Sequence, residues 1–388
     1  MGLMSGTSLD GVDAVLVDFS ATPQSLGHAF TPFDAEFKKD LLALNSAGHN
    51  ELHRANLASN RLADLYAKTC QALLHRLGIS PQEVTALGAH GQTVRHQPQA
   101  HDAWGYSTQL LSAHLLAELT GIDVIHDFRS RDVFAGGQGA PLVPAFHQHI
   151  FSSPQAVRVV LNIGGMSNVS VLAPVESTAN RAQSTSVTGF DCGPGNVLMD
   201  MWCFQHTGQA YDANGQWARK GVVQEDLLEQ FLKEPFFQLK PPKSTGRDLF
   251  NEAWLHAQLA GPLAFISPAD VQATLCALTA HSILQAVDAY LSECAWHQTA
   301  PSPVEMVLCG GGALNATLTQ ALKERADRFS SLRKMTLIPS EALGLPTQEV
   351  EAQAFAWLAR QRVLGLSANL PQVTGAQGER ILGSWIKA

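Results

Sequence analysis

Two stretches of this chain, Gly2 to Phe19 and Val159 to Leu172, repeat one pattern roughly 155 residues apart: a strand, a turn of Gly, Ser, Thr or Asn, and a second strand. Such a pair restricts the chain to a duplicated domain with a ligand clamped between the copies, or to two ordinary hairpins. A length of 388 residues allows two full hydrophobic cores. With 45% hydrophobic and 15% charged residues, the composition is that of a folded enzyme rather than a solvated tail.

Between and after the hairpins, β-branched runs alternate with helical periodicities, which is the signature of α/β architecture. Gly11 to Phe19, Val84 to Ala89 and Asp123 to His126 read as strands. Leu52 to Leu77 and Gln109 to Thr120 read as helices, the second stopped by Gly121. A second half opens at Arg158, within the VRVVLNIGG segment, and the boundary is expected near Ser152 to Pro154, dividing the chain into 1–153 and 154–388 with the last helices free to pack back on the first part. That half is expected to hold a helix from Asp270 to Ser292, a strand from Glu305 to Leu308 and a further helix between Gly344 and Arg360. The polar stretch Glu176 to Thr188 reads as a surface loop between strands.

Several function classes are disfavoured at once. Thirty-four acidic residues against 26 basic ones give a net charge of −8, which argues against a surface that tracks nucleic-acid phosphates. No apolar run approaches the ~18 residues that span a bilayer, and Met1 to Asp13 lacks the pattern of a secretory signal, so the expected location is the cytoplasm. The six cysteines form no C-x-x-C pair and read as reduced, mostly buried thiols. His147 and His149 are alternate residues of a helix, do not share a face, and read as structural rather than metal-binding.

The segments that carry chemistry are glycine-rich turns. Gly6, Thr7, Ser8, Leu9, Asp10, Gly11, Val12 and Asp13 form a turn whose N–H and hydroxyl groups suit phosphate oxygens, with Asp10 and Asp13 able to hold Mg²⁺; a plain structural turn is the alternative. Gly164, Gly165, Ser167 and Asn168 offer the same chemistry in the second half, where two turns could hold a γ-phosphate from both sides. Gly310, Gly311, Gly312 and Asn315 lie between a strand and a helix, a place that suits a nucleotide base or ribose, although Asn315 breaks the dinucleotide pattern. Asp191, in GFDCGPGN, reads as a carboxylate presented on a turn at a strand end, either a general base or an Asx-turn residue. The polar groups of His90 to His96 suit sugar hydroxyls, while arginines such as Arg129, near Asp127, and Arg247, in the PPKSTGR segment, could grip a carboxylate; each segment could equally be a surface salt-bridge stretch.

Taken together, MSGTSLDGVD at 4–13, HGQTVRH at 90–96, DFR at 127–129, AGGQGAPLVPAFH at 135–147, NIGGMSN at 162–168, GFDCGPGN at 189–196, PPKSTGRDLFN at 241–251, CGGGALN at 309–315 and EAQAFAWLA at 351–359 resemble the 1,6-anhydro-N-acetylmuramic acid kinase family. That family belongs to the superfamily of sugar kinases, heat-shock ATPases and actin. The resemblance implies two ribonuclease-H-like, actin-like ATPase lobes around a central nucleotide cleft, with the two hairpin turns as phosphate loops and Gly310 to Gly312 against the adenosine. It implies ATP and Mg²⁺ as cofactors, a small sugar as substrate, and a homodimer. It implies phosphorylation of the sugar O6 while water opens the 1,6-anhydro bridge, giving N-acetylmuramic acid 6-phosphate in cell-wall recycling. Asp191 matches the catalytic base, and His90, Gln92, Asp127, Arg129 and Glu351 fall in segments on the sugar side. A kinase for another anhydro or amino sugar, or an ATP-binding sugar sensor without turnover, would share these motifs. The chain departs from the family in having Cys192 for a usual threonine, Met166-Ser167 for Ile-Ala and Gln348 for an aspartate. It also begins inside the family's first strand, so either a late-placed start codon or a weakened edge of the first lobe is expected.

Overall fold

The computed structural model describes every residue except 7, 175–186, 242, 300 and 301, and of residues 262, 264, 295 and 299 only the backbone. Residues 1–149 with 349–388 form one unit and 150–348 a second. The chain passes from the first to the second within the Val143–Phe151 helix.

The first unit contains β1 (Gly2–Met4), β2 (Gly11–Asp18), β3 (Gln24–Pro32), β4 (Leu87–Ala89), β5 (Gln92–Pro98), β6 (Gly105–Leu110) and β7 (Val124–His126). Its main sheet has the order β7, β4, β1, β2, β3, extended beyond β7 by the strand Ser384–Ile386. β1, β2 and β3 are antiparallel neighbours, while β4 and β7 run parallel to β1. Leu3, Leu87, Ala89, Val124 and Ile125 are all fully buried, as expected of parallel strands covered on both faces. The Glu51–Leu77 helix contributes Leu62, Tyr66, Cys70 and Leu73, a stripe at helical spacing, to this core. The Val350–Val363 helix lies so close to the sheet that a Cβ on Gly2 would sit 1.8 Å from the Ala352 carbonyl oxygen, and one on Gly88 2.1 Å from that of Phe355.

The second unit contains β8 (Val157–Ile163), β9 (Met166–Leu172), β10 (Val187–Pro194), β11 (Val304–Cys309) and β12 (Thr336–Pro339), in the order β10, β9, β8, β11, β12. β8, β9 and β10 are antiparallel neighbours; β11 runs parallel to β8 and β12 parallel to β11. The Pro268–Glu293 helix buries Leu275, Leu278, Ile283, Leu284, Val287 and Leu291 against a core of its own. Ser267 caps it by accepting from the Asp270 N–H, and Pro268 stands at its first turn, where the missing donor costs nothing.

The two sheets share one connectivity: three antiparallel strands in sequence, then two that add in parallel beside the first. This is the ribonuclease-H-like order, and the two hairpins that stood out in the sequence occupy the same place in each copy. Some local expectations are corrected. The helix expected over Gln109–Thr120 begins only at Ala113, because Gln109 and Leu110 end β6, where Gln109 pairs with Thr93 and the sheet ladder overrides helical propensity. The strand expected from Val84 begins at Leu87, because Ser80 and Glu83 close a capping box around a 3₁₀ turn whose Pro81 carbonyl takes the Val84 N–H. The expected loop from Glu176 lies outside the described residues up to residue 186, and Val187 and Thr188 already belong to β10. All six cysteines are free thiols, five of them buried. Among the described residues no helix is long and apolar enough to cross a membrane.

Candidate active site

In the first unit, β1, β4 and β7 are parallel neighbours, so their carboxyl ends deliver Ser5, His90 and Asp127 to one edge of the sheet. Ligands of open α/β sheets bind at such an edge. The first turn is anchored there from several sides. The Ser5 hydroxyl donates to the Gly91 carbonyl at 3.1 Å and lies 3.0 Å from the Tyr66 hydroxyl, and the Gln92 amide donates to the Gly6 carbonyl at 3.1 Å. Leu9 closes the turn, its N–H donating to the Gly6 carbonyl at a φ of 59°, and its side chain enters the core. Thr7 lies outside the described residues. Ser8 and Asp10 are exposed, whereas Val12 is core and Gly11 is required by β3, since a Cβ there would sit 2.2 Å from the Thr31 oxygen. Gly6 has no such neighbour within 3.8 Å. The two acidic residues differ: Asp10 has Lys38 at 3.9 Å, while Asp13 Oδ1 is paired with His28 Nε2 at 2.8 Å. That pairing raises the His28 pKa.

His90 and Arg129 form a unit. An Arg129 Nη2 donor meets His90 Nε2 at 2.8 Å, which puts the imidazole proton on Nδ1, 3.3 Å from the Ser5 carbonyl that accepts it. Burial, with the Arg129 charge second, pushes the His90 pKa down to about 3, so the ring is neutral. Arg129 also donates to the Gly139 carbonyl at 2.8 Å; burial lowers its pKa to about 10 against the opposing charges of Glu351 and Asp132. Gln92 Oε1 and Arg129 Nε are buried without a protein partner among the described residues. Asp127 has a φ of 52° and accepts from the Ser130 hydroxyl at 2.6 Å and its N–H at 3.3 Å, an Asx-type cap on the Ser130–Phe134 helix. Glu351 is exposed in the first turn of the Val350–Val363 helix.

In the second unit, register places Asp191 opposite Asn168, Asn168 opposite Asn162, and Asn162 beside Cys309, a row across four strands at one end of the sheet. The turn at Gly164–Gly165 and the triplet Gly310–Gly312 are therefore neighbours. A Cβ on Gly310 would meet Asn162 Oδ1 at 2.3 Å and one on Gly312 would meet Ile163 Cγ2 at 2.3 Å, but around Gly311 nothing lies within 4 Å. The carbonyls of Gly164 and Gly165 accept from the N–H groups of Asn196 and Gly195 at 2.8 Å, which docks the turn on the start of the Val197–Thr207 helix. Ser167 is buried, its hydroxyl donating to the Gly193 carbonyl at 3.1 Å. Asn315 caps the Ala316–Ala326 helix by accepting from the N–H groups of Thr317 and Leu318 at 3.1 Å.

Asp191 lies within β10 rather than on a turn beyond it, as the sequence suggested, and a bulge between Asp191 and Gly193 distorts the ladder there. Its Oδ2 accepts from the Ser244 hydroxyl and the Thr245 N–H, both at 2.9 Å, and among the described residues no donor reaches Oδ1. Burial raises its pKa above the ordinary value, outweighing those two donors and the Lys243 charge. Ser244 and Thr245 were not singled out by sequence reasoning, because a Ser-Thr pair in a proline-rich loop carries no periodic signal. Arg247 ends 3.9 Å from where a Gly165 Cβ would stand, so a guanidinium accompanies the second glycine turn. The arrangement offers a carboxylate with one free oxygen, a cation and an open glycine turn at one sheet end.

Comparison with known proteins places the chain in a family. The family model described as anhydro-N-acetylmuramic acid kinase matches residues 1–388. The anhydro-N-acetylmuramic acid kinase of Ralstonia nicotianae is 53% identical over 385 residues, covering 99% of this chain and 96% of that protein. That of Albidiferax ferrireducens is 51% identical over 396 residues, covering 99% and 98%. Among solved structures, component A of the (R)-2-hydroxyglutaryl-CoA dehydratase of Acidaminococcus fermentans is 11% identical, with a TM-score of 0.41 over 92% of this chain and 98% of that one. On the match along its whole length and the identity to these relatives, the chain belongs to the anhydro-N-acetylmuramic acid kinase family.

Proposed function

We propose that the chain uses ATP to phosphorylate O6 of 1,6-anhydro-N-acetylmuramic acid while water opens the anhydro bridge, giving N-acetylmuramic acid 6-phosphate for peptidoglycan recycling. The observation that carries this reading is Asp191 itself, a carboxylate with Oδ2 held by two donors, no donor on Oδ1 among the described residues, and a pKa raised by burial. Asp191 takes a proton from water, the resulting nucleophile adds to C1, and the C1–O6 bond breaks toward O6. That oxygen, carrying the released electron pair, accepts the γ-phosphoryl group of ATP as its bond to the β-phosphate oxygen breaks and ADP leaves. One carboxylate thus serves both events.

The residues present fit a nucleotide. Gly6, Gly164, Gly165 and Gly311 each leave room where any other residue would place a Cβ, and Arg247 supplies a charge beside Gly165. Magnesium, when bound, would offset the charge of the phosphates. Asp10 suits it as an exposed carboxylate, directly or through water, whereas Asp13 has one oxygen engaged by His28. Gly310, Gly312 and Asn315 shape the adenosine side by packing, and His90, Gln92, Asp127, Arg129 and Glu351 serve the sugar side. The enzyme is read as a cytoplasmic homodimer, which light scattering of the purified protein tests.

The deciding experiment supplies ATP, Mg²⁺ and the anhydro-sugar in ¹⁸O-labelled water. Label should enter the product at C1, and Asp191→Asn should lose ring opening and phosphorylation together, by about 10³-fold. A phosphorylated product with its bridge intact overturns the shared base. A panel of other anhydro and amino sugars distinguishes the reading from a kinase of different specificity.

A further inference from the structure

The loop that follows the aromatic turn Pro235–Gln238 returns to β10 beside Asp191. The Asp191 N–H donates to the Lys243 carbonyl at 3.1 Å, and the next two residues supply the two donors to Oδ2, so three consecutive residues grip one aspartate. The grip is built on a rigid base. Phe236 and Phe237 each pack against Phe250, with ring centroids 5.8 and 5.5 Å apart, and the Lys243 ammonium lies 4.8 Å from the centre of the Phe236 ring. Lys243 is buried, with the Phe236 carbonyl 3.4 Å from its Nζ. Across the strand, Gly193 with a φ of 136° leaves space for Phe237, whose Cε1 would stand 2.7 Å from a Cβ there. The bulge that follows Asp191, between it and Gly193, thus lies next to the place where the loop takes hold of that residue.

We propose that Ser244 is a positioning residue of the phosphoryl-transfer reaction: with the Thr245 N–H it fixes Oδ2 of Asp191 and thereby selects Oδ1 as the oxygen that takes the proton from water. A carboxylate free to rotate would present either oxygen at varying angles, and general-base transfer needs one oxygen held within hydrogen-bond reach of its proton. Two donors on the same oxygen remove that freedom. They also favour the ionised form, so their loss makes Asp191 harder to deprotonate. The charged and titratable groups that face Asp191 are Lys243 and the Cys192 thiol, the first favouring ionisation and the second held neutral by burial. Ser244 is itself exposed, so its side chain is not needed for the core.

This inference rests on Asp191 being the base, and the test separates the two. Threonine and valine are nearly the same size but only threonine keeps the hydroxyl, so Ser244→Thr and Ser244→Val isolate the hydrogen bond. With Ser244→Val, kcat for anhydro-sugar phosphorylation should fall about tenfold, the acid limb of the kcat–pH profile should move up by about one pH unit, and KM for both substrates should stay within about twofold. Ser244→Thr should keep the wild-type limb and most of kcat. Circular dichroism and thermal unfolding check that both variants are folded. Equal behaviour of the two variants, or an unmoved acid limb with Ser244→Val, overturns the positioning role while leaving the base in place if Asp191→Asn is inactive. Activity retained by Asp191→Asn overturns the base instead.

Discussion

His90 shows how one side chain can serve a site without offering it a hydrogen bond. Its two ring nitrogens are taken up by Arg129 and by the Ser5 carbonyl, and burial keeps it neutral with a pKa near 3. Unfolded, it titrates near 6.5, so below that pH the unfolded chain binds a proton that the native state refuses. The native pKa is depressed, and the stability it confers is whole above pH 6.5 and lost as pH falls toward 3. His90 alone is expected to remove about 2 kcal/mol of stability between pH 7 and pH 5. His90→Gln should flatten that loss in urea unfolding followed at the two pH values; an unchanged slope counts against a buried neutral ring. The HGQ motif was visible in the sequence as polar groups at a strand end, but its donors turn out to hold the first glycine turn. That use depends on β1 and β4 being parallel neighbours, which no local pattern reveals.

At the scale of elements, the glycine triplet after β11 is divided between packing and open space. Gly312 is pressed against Ile163, whereas Gly311 faces open space. Gly312→Ala should lower stability by about 1–3 kcal/mol, because the added methyl must displace the end of β8. Gly311→Ala should leave the thermal midpoint nearly unchanged yet raise KM for ATP severalfold, with KM for the sugar unaffected. Equal effects of the two substitutions on stability and on KM would show that the triplet does not face the nucleotide. The sequence identified all three glycines but could not rank them, since their difference lies in contacts between β8 and β11. Strands and long helices were legible from periodicity; Glu51–Leu77 and Pro268–Glu293 were found within two residues at either end. The failures came where tertiary pairing decides, as at Gln109 in β6 and at Asp191, whose pairing with Asn168 keeps it inside β10.

Among the described residues, one hydrophobic core gathers around Leu62, Tyr66 and Leu116 in the first unit and another around Leu284, Val287 and Leu308 in the second. Unfolding without ligands is therefore expected to show two transitions. Leu62→Ala should lower one of them and Leu284→Ala the other, each by about 2–5 kcal/mol, as read by calorimetry. A single transition shifted by both variants would contradict this. The repeat spacing pointed to a duplication, with the last helices free to pack back on the first part, and the first unit is assembled from residues 1–149 and 349–388.

That division shapes how the protein is made. Asp132, with no exposed surface, is gripped by the Asn369 amide and the Thr374 hydroxyl, both at 2.7 Å, and the Val350–Val363 helix lies against Gly2 and Gly88. A chain leaving the ribosome cannot close its first lobe until these residues emerge. The second lobe, contiguous in sequence, has its full core beforehand, so synthesis reverses the order of assembly: the part translated first is completed last.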